Sequence, residues 1–105
     1  MKEVTAPELK RMLDVGEQFE LYDIREPYEV EVATIGGRSL PMSQLVDRLD
    51  EIPKDVPVVI HCRSGSRSCA VIDALSTRYG FGNLINLRGG ILAWQAEVDP
   101  TLVCE

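Results

Sequence analysis

One cysteine in this chain stands among residues able to make it reactive. Cys62 closes the run Val58-Val59-Ile60-His61 and opens the segment Arg63-Ser64-Gly65-Ser66-Arg67-Ser68. An amphipathic stretch from Cys69 to Tyr79 follows. The order reads as strand, tight loop and helix, with the loop wrapped over the cysteine sulfur. Backbone N–H groups of the loop and the helix N-terminus then point at that sulfur and favour an anion there. A free thiol with a pKa of about 8.5 is only a few per cent thiolate at neutral pH, so such surroundings would activate it as a nucleophile. The alternative is a buried, inert cysteine. A core position at a strand end has no need of Gly65 or of two flanking arginines.

Cys62 is therefore the expected catalytic residue, and Arg63, Ser64, Gly65, Ser66, Arg67 and Ser68 the expected substrate-binding loop. Gly65 permits positive φ and a close backbone approach. The three serines are small hydroxyl donors, and Ser66 or Ser68 is placed to cap the following helix. Arg63 and Arg67 offer guanidinium forks to an oxyanion; the competing reading is a structural ion pair. His61 adjoins the nucleophile, but strand alternation turns it to the opposite face, so it is expected to be a hydrogen-bonded structural residue rather than a general base. Asp23 and Arg25, at another predicted strand end, are expected to brace the loop. Arg38 and Arg88 are weaker candidates for the rim. Cys69 and Cys104 offer resolving thiols; the plainer reading is a small packed residue and a tail residue.

These residues need a scaffold, and its pattern is legible. Thr5 reads as an N-cap, Glu8 closes a capping box, and Pro7 sits in the first helical turn. Leu9, Met12 and Leu13 give that helix an apolar face, and Gly16 ends it. Phe19 to Ile24 reads as a strand, and Arg25 to Val30 as a short helix or loop. Ile35 to Arg38 is a turn, and Ser39-Leu40-Pro41 a short extended piece. Ser43 is placed to cap a helix carrying Leu45, Val46 and Leu49, stopped at Ile52-Pro53. Val58 to His61 is a strand apolar enough to be covered on both faces. Ala70, Val71, Ala74 and Leu75 give the next helix its buried face, up to Gly80. Leu84 to Leu87 is another strand. Gly89-Gly90 turns into a short helix whose Ile91, Leu92 and Trp94 read as core. Strands alternating with helices predict an α/β fold with a parallel sheet, in which sites form beyond the carboxyl ends of strands.

The 105 residues suit one domain, 1–105, with one core. No stretch approaches the ~20 apolar residues that cross a bilayer, and the N-terminus lacks a signal-peptide pattern. The expectation is a soluble, cytoplasmic protein with no membrane partner. A net charge of −6 without a basic stripe argues against nucleic acid. Arg63 and Arg67 on that acidic body suggest a small anionic substrate. Three cysteines, an odd number, make no disulfide framework. With no Cys-x-x-Cys pair and one histidine, a structural zinc site is not expected, and chemistry at Cys62 is expected to use neither metal nor organic cofactor.

Three segments together resemble the rhodanese-like domain: Asp23-Ile24-Arg25-Glu26-Pro27, then His61 to Ser68, then Leu87-Arg88-Gly89-Gly90-Ile91-Leu92-Ala93-Trp94. Each alone is a weak signal; three in order at this length are specific. The tail, Trp94 followed by Glu97-Val98-Asp99-Pro100, is most similar to rhodanese domains fused behind adenylyltransferases of molybdopterin and thiamin sulfur chemistry. The resemblance implies a central parallel sheet of about five strands with helices on both faces. It implies a sulfurtransferase in which Cys62 takes a sulfane sulfur from a donor such as thiosulfate, forms a persulfide cradled by the loop, and yields it to cyanide or a thiol. The implied partners are a small anionic sulfur donor and protein donors or acceptors: a cysteine desulfurase, an adenylyltransferase or a sulfur-carrier protein. The chain departs from the family between Glu31 and Leu40, where Thr34-Ile35-Gly36-Gly37-Arg38 replaces a His-Ile-Pro-Gly-Ala-like run. Its added glycine and arginine are expected to reshape the pocket rim.

Two other functions compete. A cysteine-dependent phosphatase or arsenate reductase needs five residues between thiolate and arginine. Here Arg67 comes one position early and Ser68 takes the place, so the cradle is narrow for a phosphoryl group. A non-catalytic persulfide carrier or protein-recognition module would react poorly with small donors and take sulfur only from a docked partner.

Overall fold

The computed structural model describes residues 1–103. Its elements run β1 (Glu3–Val4), α1 (Ala6–Val15), β2 (Glu20–Asp23), α2 (Pro27–Val32), β3 (Arg38–Ser39), two 3₁₀ segments (Met42–Gln44 and Val46–Glu51), β4 (Val58–His61), α3 (Ser66–Tyr79), β5 (Leu84–Leu87) and α4 (Gly90–Glu97). The strands form one five-stranded sheet in the order β1-β5-β4-β2-β3. Every pairing is parallel. From β2 the chain moves outward to β3; from β4 it moves the other way to β5. The direction of winding therefore reverses between β2 and β4, and a crevice opens beyond their carboxyl ends. Asp23 pairs in register with His61, so the two strands end level. Cys62 is the next residue.

Alternation along β4 divides the core into two layers. Val58, Ile60 and Cys62 pack with Tyr22, Ile24, Val71, Ile72 and Leu75 on the α3 face. Val59 packs with Leu9, Leu21, Ile85, Leu87 and Trp94 on the face covered by α1 and α4. All four residues of β4 and all four of β5 are buried, as a strand covered on both sides requires. The α/β class, the parallel sheet and its helices on both faces agree with the sequence. The α1 capping box also forms: Thr5 Oγ1 accepts from the Glu8 N–H at 3.2 Å, and Glu8 Oε1 accepts from the Thr5 N–H at 2.8 Å.

Several local expectations need correction. β1 carries no periodic signal because only two residues pair, with Asn86 and Leu87 of β5. No continuous helix follows Ser43, whose hydroxyl instead donates to Glu26 Oε1 at 2.9 Å, and the segment breaks into 3₁₀ pieces. Helix α3 begins at Ser66, and its buried face is Ser68, Val71, Ile72 and Leu75 rather than one including Ala70 and Ala74. Neither Ser66 nor Ser68 caps it: Gly65 holds the cap position without a side-chain hydrogen bond. Leu13 is exposed on α1, and Leu92 is only half-buried on α4. Among the described residues no helix is long and apolar enough to cross a membrane.

Candidate active site

Cys62 leaves the end of β4 with its side chain on the α3 face, and the loop turns back over it. Gly65 makes the turn at φ +98°, a conformation L side chains rarely adopt. That turn aims the Gly65 N–H at Cys62 Sγ, 3.1 Å away, and the Ser68 N–H reaches the same sulfur at 3.4 Å. Ser68 Oγ also lies 3.4 Å from Sγ. Cys62 and Ser68 are both fully buried. Burial pushes the Cys62 thiol up, but the Ser68 hydroxyl and the N–H groups of Ser68, Gly65 and Arg67 outweigh it and hold the thiol below its ordinary value. The anion cradle is thus made mainly of backbone donors from the first turn of α3, as at other helix N-termini.

The N-terminus of α4 holds the loop in this shape. The Ile91 N–H donates to the Cys62 carbonyl at 3.0 Å and the Leu92 N–H to the Arg63 carbonyl at 3.1 Å. With those carbonyls engaged at α4, the next amides of the loop face the sulfur. Gly90 is where the two backbones touch: a Cβ there would lie 2.5 Å from the Cys62 carbonyl oxygen and closer still to that of Arg63. The Gly89-Gly90 pair is therefore a clearance requirement as well as a turn.

The guanidinium of Arg67 goes to a carboxylate. Its two terminal nitrogens donate to Glu29 Oε1 and Oε2 of α2, each at 2.8 Å, so the ion-pair alternative describes this side chain. Arg67 contributes its backbone N–H to the sulfur instead. The pair holds the Glu29 carboxyl down at about 2, chiefly through the hydrogen bonds from Arg67. Asp23 and Arg25 form a second, buried fork: Arg25 Nη2 donates to Asp23 Oδ2 at 2.8 Å and to the Ala33 carbonyl at 2.7 Å. This ties the end of β2 to the end of α2, whereas the expected brace is to the Cys62 loop. His61 faces away from Cys62, but its expected hydrogen bond is missing. Neither ring nitrogen has a partner among the described residues, and Asp23 Oδ2 is 3.8 Å from Nε2. Burial pushes the His61 pKa down, only partly offset by Asp23.

Beside the loop lies a cavity of about 240 Å³ lined by Arg25, Tyr28, Glu29, Val32, Ala33, Arg63, Ile91 and Val103. Arg63 is thus placed on its wall. Ser64 and Ser66 sit on the exposed outer side of the loop, their hydroxyls 3.2 Å apart. Arg38 is not on this rim: it lies on edge strand β3, largely exposed, with Glu20 4.0 Å away, so the divergent Thr34–Arg38 run does not shape the cavity. Arg88, also exposed, pairs with Glu3. Cys69 is exposed on α3, and Cys104 lies outside the described residues. Among the described residues no three His, Cys, Asp or Glu side chains gather as a metal site. Sequence reasoning missed Glu29, Tyr28 and Asn86. From sequence Glu29 reads only as one of the acidic residues behind the net charge of −6.

Comparison with known proteins agrees with this geometry. The family described as the rhodanese-like domain matches residues 5–97. A protein named sulfurtransferase from Allochromatium vinosum is 42% identical over 109 residues, covering 100% of this chain and 98% of that protein. MoeZ of Mycobacterium tuberculosis, described as an adenylyltransferase/sulfurtransferase, is 33% identical over 95% of this chain, which spans only 26% of MoeZ. The crystal structure of a rhodanese-like domain protein from Staphylococcus aureus superposes with a TM-score of 0.83 at 28% identity, covering 100% of this chain and 99% of that one. The parallel sheet, the cysteine at its switch point and these matches along nearly the whole length place the chain in the rhodanese-like domain family.

Proposed function

We propose that this protein is a sulfurtransferase that carries sulfane sulfur on Cys62. The observation that supports this best is the ring of N–H donors from Gly65, Arg67 and Ser68 around one buried sulfur at a helix N-terminus. Such a ring stabilises a thiolate and equally the terminal anion of a persulfide. The Cys62 thiolate attacks the outer sulfur of thiosulfate; a new S–S bond forms, the old one breaks, and sulfite leaves with its electron pair. Cyanide or a thiolate then attacks the outer sulfur of the persulfide and restores the Cys62 thiolate. Both steps conserve charge and need no external oxidant or reductant. Arg63, on the cavity wall, supplies positive potential for the incoming anion. The phosphatase reading is weaker: Ser68 stands where the dianion-gripping arginine would be, and the neighbouring Arg67 is paired with Glu29.

Protein-borne sulfur is a second reading with its own support. Cys62 is 0% exposed, so a donor reaches it only when the loop mouth widens. The cavity beside it is flanked by exposed Tyr28, Val32 and Val103, an apolar rim suited to a docked partner. Under this reading the partner is a protein persulfide donor or a sulfur-carrier acceptor.

Intact mass spectrometry tests the proposal. The reduced protein is measured before and after thiosulfate and again after cyanide, beside Cys62→Ser. A gain of one sulfur atom, reversed by cyanide and absent in the variant, is expected. No gain from thiosulfate, with loading by a persulfide-charged cysteine desulfurase, selects the protein-donor reading. No gain from either refutes sulfur transfer at Cys62.

A further inference from the structure

The Ser68 hydroxyl has one proton and three acceptors within reach: Asn86 Oδ1 at 2.5 Å, the Gly65 carbonyl at 3.2 Å and Cys62 Sγ at 3.4 Å. The closest is Asn86, a buried side chain at the end of β5, next to β4 in the sheet. Its amide orientation is set by what lies on its other side. Nδ2 faces Glu3 Oε2 at 3.3 Å and the Gly65 carbonyl at 3.5 Å, both acceptors. Turning the amide over would place Oδ1 against those two oxygens, so Oδ1 stays on Ser68 and takes its proton. The Ser68 lone pair is then left facing the sulfur. That arrangement matches a Cys62 thiol, whose S–H donates to Ser68. It does not match a thiolate, which wants the hydroxyl proton for itself.

We propose that Asn86 is a positioning residue for Cys62: by holding the proton of Ser68 it opposes ionisation of the sulfur, and Glu3 on β1 keeps the amide oriented to do so. This deepens the sulfur-transfer reading, on which it rests for its purpose: ionisation of the sulfur is coupled to a turn of the Ser68 hydroxyl. In the turned state the Ser68 hydroxyl donates to Sγ across the 3.4 Å contact and favours its ionisation. The other charged groups around the site are Asp23 and Arg25 from the end of β2, Glu29 of α2 with Arg67 of α3, Arg63 in the loop, buried His61 behind it, and Arg88 beside Glu3.

The test is the pH dependence of Cys62 alkylation by iodoacetamide in the reduced full chain, with alkylation at Cys62 and at Cys69 and Cys104 resolved by peptide mass spectrometry. Asn86→Leu keeps the volume and removes the acceptor. One hydrogen bond released to the thiolate lowers its apparent pKa by about half to one pH unit, a gain of about three- to tenfold in rate at about pH 6. Glu3→Gln, on the partly exposed side, gives the amide a donor to face and lets it turn. It lowers the same pKa by a smaller amount and keeps the proposal testable if Asn86→Leu does not fold. Because Glu3→Gln also removes a charge, it is repeated in Ser68→Ala. A shift that disappears in that background is the expected result. A shift that persists there is simple electrostatics and overturns the proposal, as does an unmoved pKa in both single variants. A protein whose thiol pKa moves as expected but which never gains sulfur would uphold this inference and refute the sulfur-transfer reading.

Discussion

Glu29→Gln isolates the charge of the ion pair that clamps α2 to α3. Glutamine keeps the size of the side chain, and its Oε1 still accepts from the Glu26 N–H, a bond of 3.1 Å in the capping box. What is lost is the carboxylate facing Arg67. The carboxyl stands at about 2 when folded against an ordinary 4.5, which at about 1.36 kcal/mol per pH unit sets a ceiling of about 3 kcal/mol. The Glu29 side chain is 15% exposed but its Arg67 partner is 34% exposed, so solvent screens the pair and about 1–2 kcal/mol is expected. The sign follows from a folded pKa below the unfolded one. The contribution is complete above about 4.5 and is lost as pH falls towards about 2. Urea unfolding of both proteins across a pH series reads this directly. At neutral pH the variant midpoint falls by about 1 M, and more than half of the difference is gone by about pH 3. Equal midpoints at neutral pH, or a difference unchanged at low pH, would refute the assignment of a stabilising charge pair to Glu29 and Arg67.

Other perturbations follow from the same contacts. Gly90→Ala forces a Cβ into the Cys62 and Arg63 carbonyls at φ +61° and is expected to cost at least about 2 kcal/mol by urea unfolding and to depress sulfur loading by mass spectrometry; wild-type stability and loading would show the loop does not depend on that clearance. Thr5→Ala removes one half of the α1 capping box and lowers stability by about 1 kcal/mol, read from the thermal midpoint, with the Cys62 thiol pKa unchanged. His61 is depressed in the fold, so stability present above about 6.5 is lost as pH falls below it; His61→Leu removes that loss, and an unchanged unfolding profile between about pH 6.5 and 5 would count against a buried neutral imidazole.

Much of this protein is written in short-range pattern. The uniform apolar run of β4, the Thr5–Glu8 box and the alternation of strand and helix are local signals, and they define an α/β fold without knowledge of strand order. Cys62, Gly65 and Ser68 were legible for the same reason: an anion cradle at a strand–loop–helix junction is made within seven consecutive residues by their own backbone. The serines and arginines of the loop were legible as types but not as roles. Arg67 reads equally well as an anion ligand or an ion-pair partner. Only the packing of α2 over the loop, which brings in Glu29 from 38 residues away, decides between them. Gly90 looks like a turn residue until α4 is seen pressed on the Cys62 and Arg63 carbonyls. Asn86 and Glu3 carry no local signal, since Asn86 meets Ser68, and Glu3 meets Asn86, only because β5 lies between β1 and β4. Periodicity determines which face of an element is buried. Which element it is buried against depends on strand order and helix placement, and the partners that tune this sulfur were decided at that level.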